Sequence, residues 1–346
     1  MKALVLEDYK QFVYKDVPDP KPRPDEVLIA VKACGICGSD VHGMDGSTGR
    51  RRPPIVMGHE AAGEIVEVGV DVSDWQVGDR VTFDSTVYCG TCHFCRRGQA
   101  NLCEDRRVLG VSCADYKQHG AFAEFVAVPE RVLYKLPDEL SYEKAALVEP
   151  VSIAFHAVNR TPMGLNSSVV VFGAGMIGLL TIQALRLAGY GTIVAVDLDP
   201  DKLDIARAVG ADYTFLADDV DLIPNILTLS HGRGADRVFE AVGVEATVNA
   251  AFQAVRKGGA ITLIGNLAPE VNFPLQSAVT REITLYGVCA SCGEYPACLD
   301  MIARGSIDVD PLLSAVAPLS EGASWFERLY NKERGLMKVV LVPDGV

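Results

Sequence analysis

The chain has 346 residues, 49% of them hydrophobic and 22% charged, and a formal net charge of −13. That length accommodates two domains and a sizeable core. The acidic balance argues against nucleic acid and against an anionic membrane surface, because both demand Lys and Arg to neutralise phosphate.

The longest apolar run, near 169–180, is broken by Gly173, Gly175 and Gly178 and is followed by Gln183 and Arg186. It is too short to span a bilayer. Met1–Asp8 lacks the apolar run and cleavage site of a signal peptide. Ten cysteines in so large a chain fit reduced thiols and metal binding in a cytoplasm better than a disulfide framework.

Residues 1–150 read as short β segments between Gly and Pro turns, such as Glu26–Lys32, Ala62–Val68 and Asp79–Phe83. Their alternation predicts a small antiparallel barrel or sandwich. Pro18, Pro20, Pro22 and Pro24 mark an extended entry. Residues 84–108, rich in Cys, Arg and Gly and without periodicity, form a loop that something must hold together. A helical pattern begins at Tyr142 and runs to Val158, interrupted at Pro150.

The pattern then changes to strand Ser168–Phe172, a glycine turn, a helix through Leu187, strand Thr192–Val196 and helix Lys202–Val209. Strands Arg237–Glu240 and Ala260–Ile264 follow, with helix Thr247–Val255 between them. Strands alternating with helices predict a parallel, doubly wound sheet, so the fold class is α/β. Leu336–Val342 reads as a closing strand, and there are no internal repeats or low-complexity tracts.

Three groups of residues carry chemistry. Cys89, Cys92, Cys95 and Cys103 are spaced so that four thiolates can close on one tetrahedral zinc and leave no open position. An iron–sulfur cluster is the rival occupant, and would colour the protein brown. His93 lies inside the loop as a bystander, since the cysteines already supply four ligands.

The second group is Gly173-Ala-Gly175-Met176-Ile177-Gly178, which follows a strand and opens a helix; Asp197 ends the next strand. Glycines there admit a pyrophosphate to the helix N-terminus, and the acid takes the ribose hydroxyls. An acid at 197 repels a 2′-phosphate, which favours NAD over NADP. The alternative use of these glycines is helix–strand packing alone.

The third begins at residues 33–42, which place Cys37, Ser39, Asp40 and His42 within six positions. A site that binds a metal, deprotonates an alcohol and moves the proton to water needs that mixture, so Cys37 is read as holding a catalytic zinc. His59, Glu60 and Glu149 are further candidates, but each alone has an ordinary structural use and spacing does not join them.

In order along the chain stand Cys34-Gly-Ile-Cys37-Gly-Ser39-Asp40-x-His42, Gly58-His59-Glu60, Gly78-Asp-Arg-Val81, the four-cysteine loop, Gly120-Ala-Phe-Ala-Glu124, Glu149-Pro150 and the dinucleotide fingerprint. With these the chain resembles the zinc-containing medium-chain dehydrogenases of the alcohol dehydrogenase superfamily, in the sorbitol (polyol) branch, over essentially its whole length. The resemblance implies a GroES-like β-barrel catalytic domain, residues 1–152 and 296–346, and a Rossmann NAD-binding domain, residues 153–295.

By the same resemblance, Cys37 and His59 ligate the catalytic zinc, with Glu60 and Glu149 competing to be the remaining protein ligand. Asp40 supports His59 through its second ring nitrogen, and the four-cysteine loop takes a structural zinc, making two per chain. The zinc acidifies an alcohol hydroxyl and hydride passes to NAD. Ser39 accepts the proton and passes it by way of the nicotinamide ribose to His42 for release to solvent. Cys34 reads as a core thiol, not half of a redox pair.

The implied substrate is a small secondary alcohol, a polyol or a polyol phosphate. L-threonine 3-dehydrogenase, which shares the Cys/His/Glu set, is the alternative within this chemistry. A zinc-stapled, non-catalytic protein sensing NAD is the alternative outside it. Sorbitol dehydrogenases place an Arg-Tyr pair where this chain has Ala290-Ser291, and Cys289, Cys292 and Cys298 read as core thiols. Arg50-Arg51-Arg52 reads first as a solvated basic loop and second as a phosphate clamp. The edge around Ile283–Val288 is where the resemblance implies pairing into a homodimer or homotetramer.

Overall fold

The structure is a computed structural model that describes residues 1–162 and 164–344. It divides into two compact units, residues 1–149 with 295–346 and residues 150–294.

The first unit is built on a seven-stranded sheet. Its order is Leu133–Lys135, Arg80–Phe83, Glu60–Val68, Glu26–Gly35, Lys338–Val342 and Leu313–Pro318, with Phe125–Pro129 also pairing with Glu26–Gly35. Strands Lys2–Asp8, Gln11–Asp16 and Ile55–Val56 form a smaller sheet beside it. Val27, Ile29 and Val31 alternate along the long central strand, and with Leu4, Leu6, Phe83, Phe122 and Phe326 they fill one core. The alternation predicted from sequence is thus realised as antiparallel pairing with one face buried.

The second unit holds a six-stranded parallel sheet in the order Tyr213–Leu216, Thr192–Asp197, Ser168–Phe172, Ala235–Glu240, Val255–Leu263, Thr284–Gly287. Val169, Val170, Val171 and Phe172 are all fully or almost fully buried, as expected of a strand covered on both faces. The strand order reverses direction at Ser168–Phe172, the point at which such sheets bind ligands.

The helical stretch around Pro150 differs from expectation. Pro150 does not interrupt the helical stretch: helix Tyr142–Ala146 ends first, and Pro150 sits in the first turn of helix Val148–Arg160. At that position the proline's missing N–H has no intrahelical acceptor to lose. Among the described residues no helix is long and apolar enough to cross a membrane.

Candidate metal centre and dinucleotide site

Strand Glu26–Gly35 delivers the chain to Cys37, which caps the short helix Gly38–Gly43. Cys37 Sγ accepts from the Ser39 amide at 3.4 Å and from the Ser39 hydroxyl at 3.3 Å. Across the ladder, Gly35 stands opposite Glu60, and His59 immediately precedes it. A side chain at 35 would run into the Glu60 carboxylate, so glycine is what allows that acid to lie over the strand. The result is one ligand atom each from Cys37, His59 and Glu60, all within 4.8 Å of one another. A sulfur, an imidazole nitrogen and a carboxylate oxygen in buried surroundings form a donor set suited to zinc.

The charges around this cluster are paired closely. Asp40, fully buried, accepts at Oδ1 from Arg51 Nε at 3.0 Å and Nη2 at 2.8 Å. Its Oδ2 faces His59 Nδ1 at 3.4 Å, and neither of these two atoms has another partner. Burial alone would raise the Asp40 carboxyl; the charges of His59 and Arg51 outweigh it and hold it well below the usual range. Burial likewise opposes a charged His59, but Asp40 and Cys37 overcome it and push the imidazole well above its ordinary value.

Glu60 is engaged from the other side. Lys338 Nζ donates to Glu60 Oε2 at 2.6 Å and Oε1 at 2.9 Å, and to the Ile36 carbonyl at 3.0 Å. Glu149, in the first turn of helix Val148–Arg160, is partly buried and is not a member of the close set. Desolvation pushes its carboxyl up to about 8; Glu60 and Asp84 add to the rise, while His59 and Lys338 oppose it. His42 is exposed in the last turn of its helix, and Ser39 is exposed with its hydroxyl also accepting from Arg51 Nη2 at 3.3 Å. Cys34 is buried, and burial raises its thiol, in keeping with a core residue.

Cys89, Cys92, Cys95 and Cys103 also converge within 4.8 Å. The Cys89–Cys95 and Cys92–Cys103 sulfurs are each 4.0 Å apart. Four sulfurs at about 2.3 Å from one tetrahedral ion would be roughly 3.8 Å apart, so the loop is already near that geometry. Backbone amides of Thr91 and Cys92 donate to Cys89 Sγ at 3.4 and 3.3 Å, which stabilises a thiolate and lowers that thiol to about 6. His93 lies outside the cluster, exposed and edge-on to Phe94.

In the second unit, Gly173 adopts a positive φ of +94° and turns the chain out of its strand. A side chain at Gly178 would collide with the Gly173 carbonyl, so this glycine sets the close approach of helix Met176–Leu187 to the strand. Gly175 has open space where a Cβ would stand, beside the first helical amides of Met176 and Ile177. Asp197 Oδ2 accepts from the Ala174 amide at 2.7 Å and Oδ1 from the Asp199 amide at 3.0 Å. Each oxygen keeps lone-pair capacity for a hydroxyl donor. The turn and the acid therefore fit a dinucleotide: a glycine opening for the pyrophosphate and a carboxylate tied to its rim.

Two family models match the chain: the alcohol dehydrogenase GroES-like domain over residues 23–138 and the zinc-binding dehydrogenase model over residues 177–304. The sorbitol dehydrogenase of Bacillus subtilis is 34% identical over 99% of this chain and 98% of its own. The D-arabitol-phosphate dehydrogenase of Enterococcus avium is 33% identical over 93% and 91%. A candidate zinc-binding dehydrogenase of Sinorhizobium meliloti 1021, solved with NADP bound, superposes with a TM-score of 0.90 at 32% identity, covering 99% of both chains.

The chain belongs to the zinc-binding dehydrogenases of the alcohol dehydrogenase superfamily.

As a member of that family it is an oxidoreductase using zinc and a nicotinamide cofactor, within the polyol branch. Several residues of this dehydrogenase stand differently from the sequence expectation. Arg51 is not part of a solvated loop: it is 4% exposed and spent on Asp40 and Ser39, while Arg50 and Arg52 are exposed. A clamp of three arginines is therefore reduced to those two. Of the three later cysteines only Cys298 is fully buried; Cys289 and Cys292 are partly exposed. Lys338 was missed altogether. Its only sequence signal is a cation at the head of the apolar run Val339–Val342.

Proposed function

We propose that this dehydrogenase transfers hydride from a secondary alcohol of the polyol class, free or phosphorylated, to NAD and releases the ketose. The convergence of Cys37, His59 and Glu60 with the Ser39 hydroxyl beside the Cys37 sulfur carries the reading. Zinc held by Cys37, His59 and one of the competing carboxylates, Glu60 or Glu149, would supply a Lewis acid for the alcohol hydroxyl, and nicotinamide would supply the hydride acceptor.

The chain's own residues do the rest. Ser39 Oγ would take the hydroxyl proton as it gives up its own, and His42, exposed on the same short helix, would release a proton to water. Asp40 faces His59 Nδ1 and so leaves Nε2 as the ligand nitrogen. Glu60, held by Lys338, is the anionic wall of the site. Cys89, Cys92, Cys95 and Cys103 would hold a second, structural zinc, four thiolates being enough to fill a tetrahedral site.

NAD is favoured over NADP by Asp197, which ends strand Thr192–Asp197, with Asp199 and Asp201 next to it at the start of helix Pro200–Ala208, acids that would repel a 2′-phosphate. The names of the relatives, a sorbitol dehydrogenase and an arabitol-phosphate dehydrogenase, support a polyol and keep its phosphate ester in contention. Ten cysteines, four of them gathered in one loop as metal ligands, suit a compartment that keeps thiols reduced, the cytoplasm. Strand Thr284–Gly287 forms one edge of the parallel sheet, with Leu285 exposed, and pairing of two copies there would give the homodimer or homotetramer.

The test is NADH formation across polyols, polyol phosphates and L-threonine, with and without chelator, alongside zinc analysis. The reading expects NADH from polyols, its loss on chelation, and two zincs per chain. Turnover of L-threonine alone would replace the polyol, and no turnover with one zinc would leave a binding protein. A phosphate ester that reacts no faster than its free polyol removes the role of Arg50 and Arg52.

A further inference from the structure

Arg51 is built into the first unit with more care than a loop residue requires. The backbone on either side is zipped to one residue: the Arg52 amide donates to the Ser112 carbonyl and the Ser112 amide to the Arg50 carbonyl, both at 3.1 Å. The stem passes Gly43, where a Cβ would lie 2.6 Å from Arg51 Cγ. Any side chain at 43 would displace it. At its end the guanidinium distributes its donors over four contacts: Nε and Nη2 to Asp40 Oδ1, Nη2 to Ser39 Oγ, and Nη1 to the Arg50 carbonyl at 3.0 Å.

Resting on the proposed relay, we infer that Arg51 is a positioning residue for hydride transfer, orienting the Ser39 hydroxyl and fixing Asp40 behind His59 from one rigid fork. An N–H donated to Ser39 Oγ occupies one lone pair and fixes the direction of the other, which must receive the substrate proton. The same plane holds Asp40 Oδ1, so Oδ2 is left to His59. Lysine cannot reproduce this, because a single ammonium is a point donor without the planar fork. A structural anchor would stabilise the loop and nothing more. A positioning residue couples specifically to Ser39.

Arg51→Lys keeps the buried positive charge that Asp40 requires and is the deciding variant; if the lysine form does not fold, Arg51→Gln combined with Asp40→Asn, which leaves no buried charge alone, takes its place with the same measurements. Three measurements are made on zinc-loaded protein: kcat and KM for the best alcohol, the solvent deuterium isotope effect on kcat, and zinc retention during chelator challenge. Misplacing a reacting group by about an ångström costs up to roughly a hundredfold. Arg51→Lys should lower kcat by roughly tenfold to a hundredfold with KM little changed, raise the solvent isotope effect, and speed zinc loss.

In a Ser39→Ala background the same substitution should cost less than about threefold in kcat, since its partner in the relay is already gone. Full additivity of the two losses, or an unchanged isotope effect, overturns the inference. If Ser39→Ala alone keeps full activity, the relay reading itself fails. Faster zinc loss in Arg51→Lys would then preserve the Asp40 part of the inference, and unchanged zinc loss would end it.

Discussion

Removing the counter-ion of Glu60 gives the sharpest test of how this centre is held. Lys338 and Glu60 are 2% and 1% exposed, and the ammonium makes both of its carboxylate contacts plus one to the Ile36 carbonyl. Lys338→Met leaves the acid buried without its partner, and breaking such a pair costs about 3–5 kcal/mol. In a unit of about 200 residues that is a fall on the order of 10 °C in Tm. The assay is denaturant unfolding of the chelated protein, followed by tryptophan fluorescence. Both tryptophans, Trp75 and Trp325, pack on the core of the first unit, so the signal reports that unit alone. Glu60→Gln should also destabilise, by stranding Lys338, but the double variant should recover most of the loss, because neither charge is then left alone. Zinc should narrow the gap between Lys338→Met and wild type, since a freed Glu60 has a cation to turn to. A coupling energy below about 1 kcal/mol would refute the claim that this pair is a buried unit.

Other expectations concern the neighbouring groups. For Glu149, whose carboxyl is raised to about 8, the metal-free protein loses stability as pH rises from the ordinary carboxylate value towards 8, because the unfolded chain ionises over that range while burial keeps the folded carboxyl protonated. Glu149→Gln, always neutral, should therefore match wild type in melting experiments near pH 4 and exceed it near pH 9; a constant gap would contradict the burial argument. Cys92→Ser should remove one zinc per chain by metal analysis and open residues 89–103 to protease, with the parallel-sheet unit intact by circular dichroism. Asp197→Ala removes a charged acceptor worth about 1.5–3 kcal/mol, so KM for NAD should rise roughly tenfold to a hundredfold while KM for NADP falls or holds. An equal rise for both cofactors would remove Asp197 from cofactor choice.

The parallel sheet was legible because residues 169–172 of strand Ser168–Phe172 are a continuous β-branched and aromatic run, and such runs have few other uses. The four-cysteine loop was legible because its ligands lie close in sequence, so spacing itself carried the geometry. The catalytic cluster was only half legible. Cys37 and His59 stood in recognisable motifs, whereas the counter-ions that govern them did not. Arg51 is chemically identical to Arg50 and Arg52 on paper; only the gap left by Gly43 and the pairing with Ser112 turn it inward. Lys338 meets Glu60 because Val340 pairs with Gly35, and Gly35 with Glu60, across three strands. Register of that kind is a tertiary fact and leaves no local pattern. Pro150 was misread for a simpler reason: a proline ends a helix or starts one, and the residues around it do not say which.

The 278 residues that separate Glu60 from Lys338 also set an order of events during synthesis. At ribosomal rates of about 5–20 residues per second, Cys37, His59 and Glu60 are made roughly 14–60 seconds before their lysine. Residues 150–294 are made in between and can fold as a unit during that wait. A nascent chain thus offers metal an acid with no competing ammonium, and the finished protein offers one already claimed. Metal acquired early and metal acquired late would meet two different centres built from the same three residues.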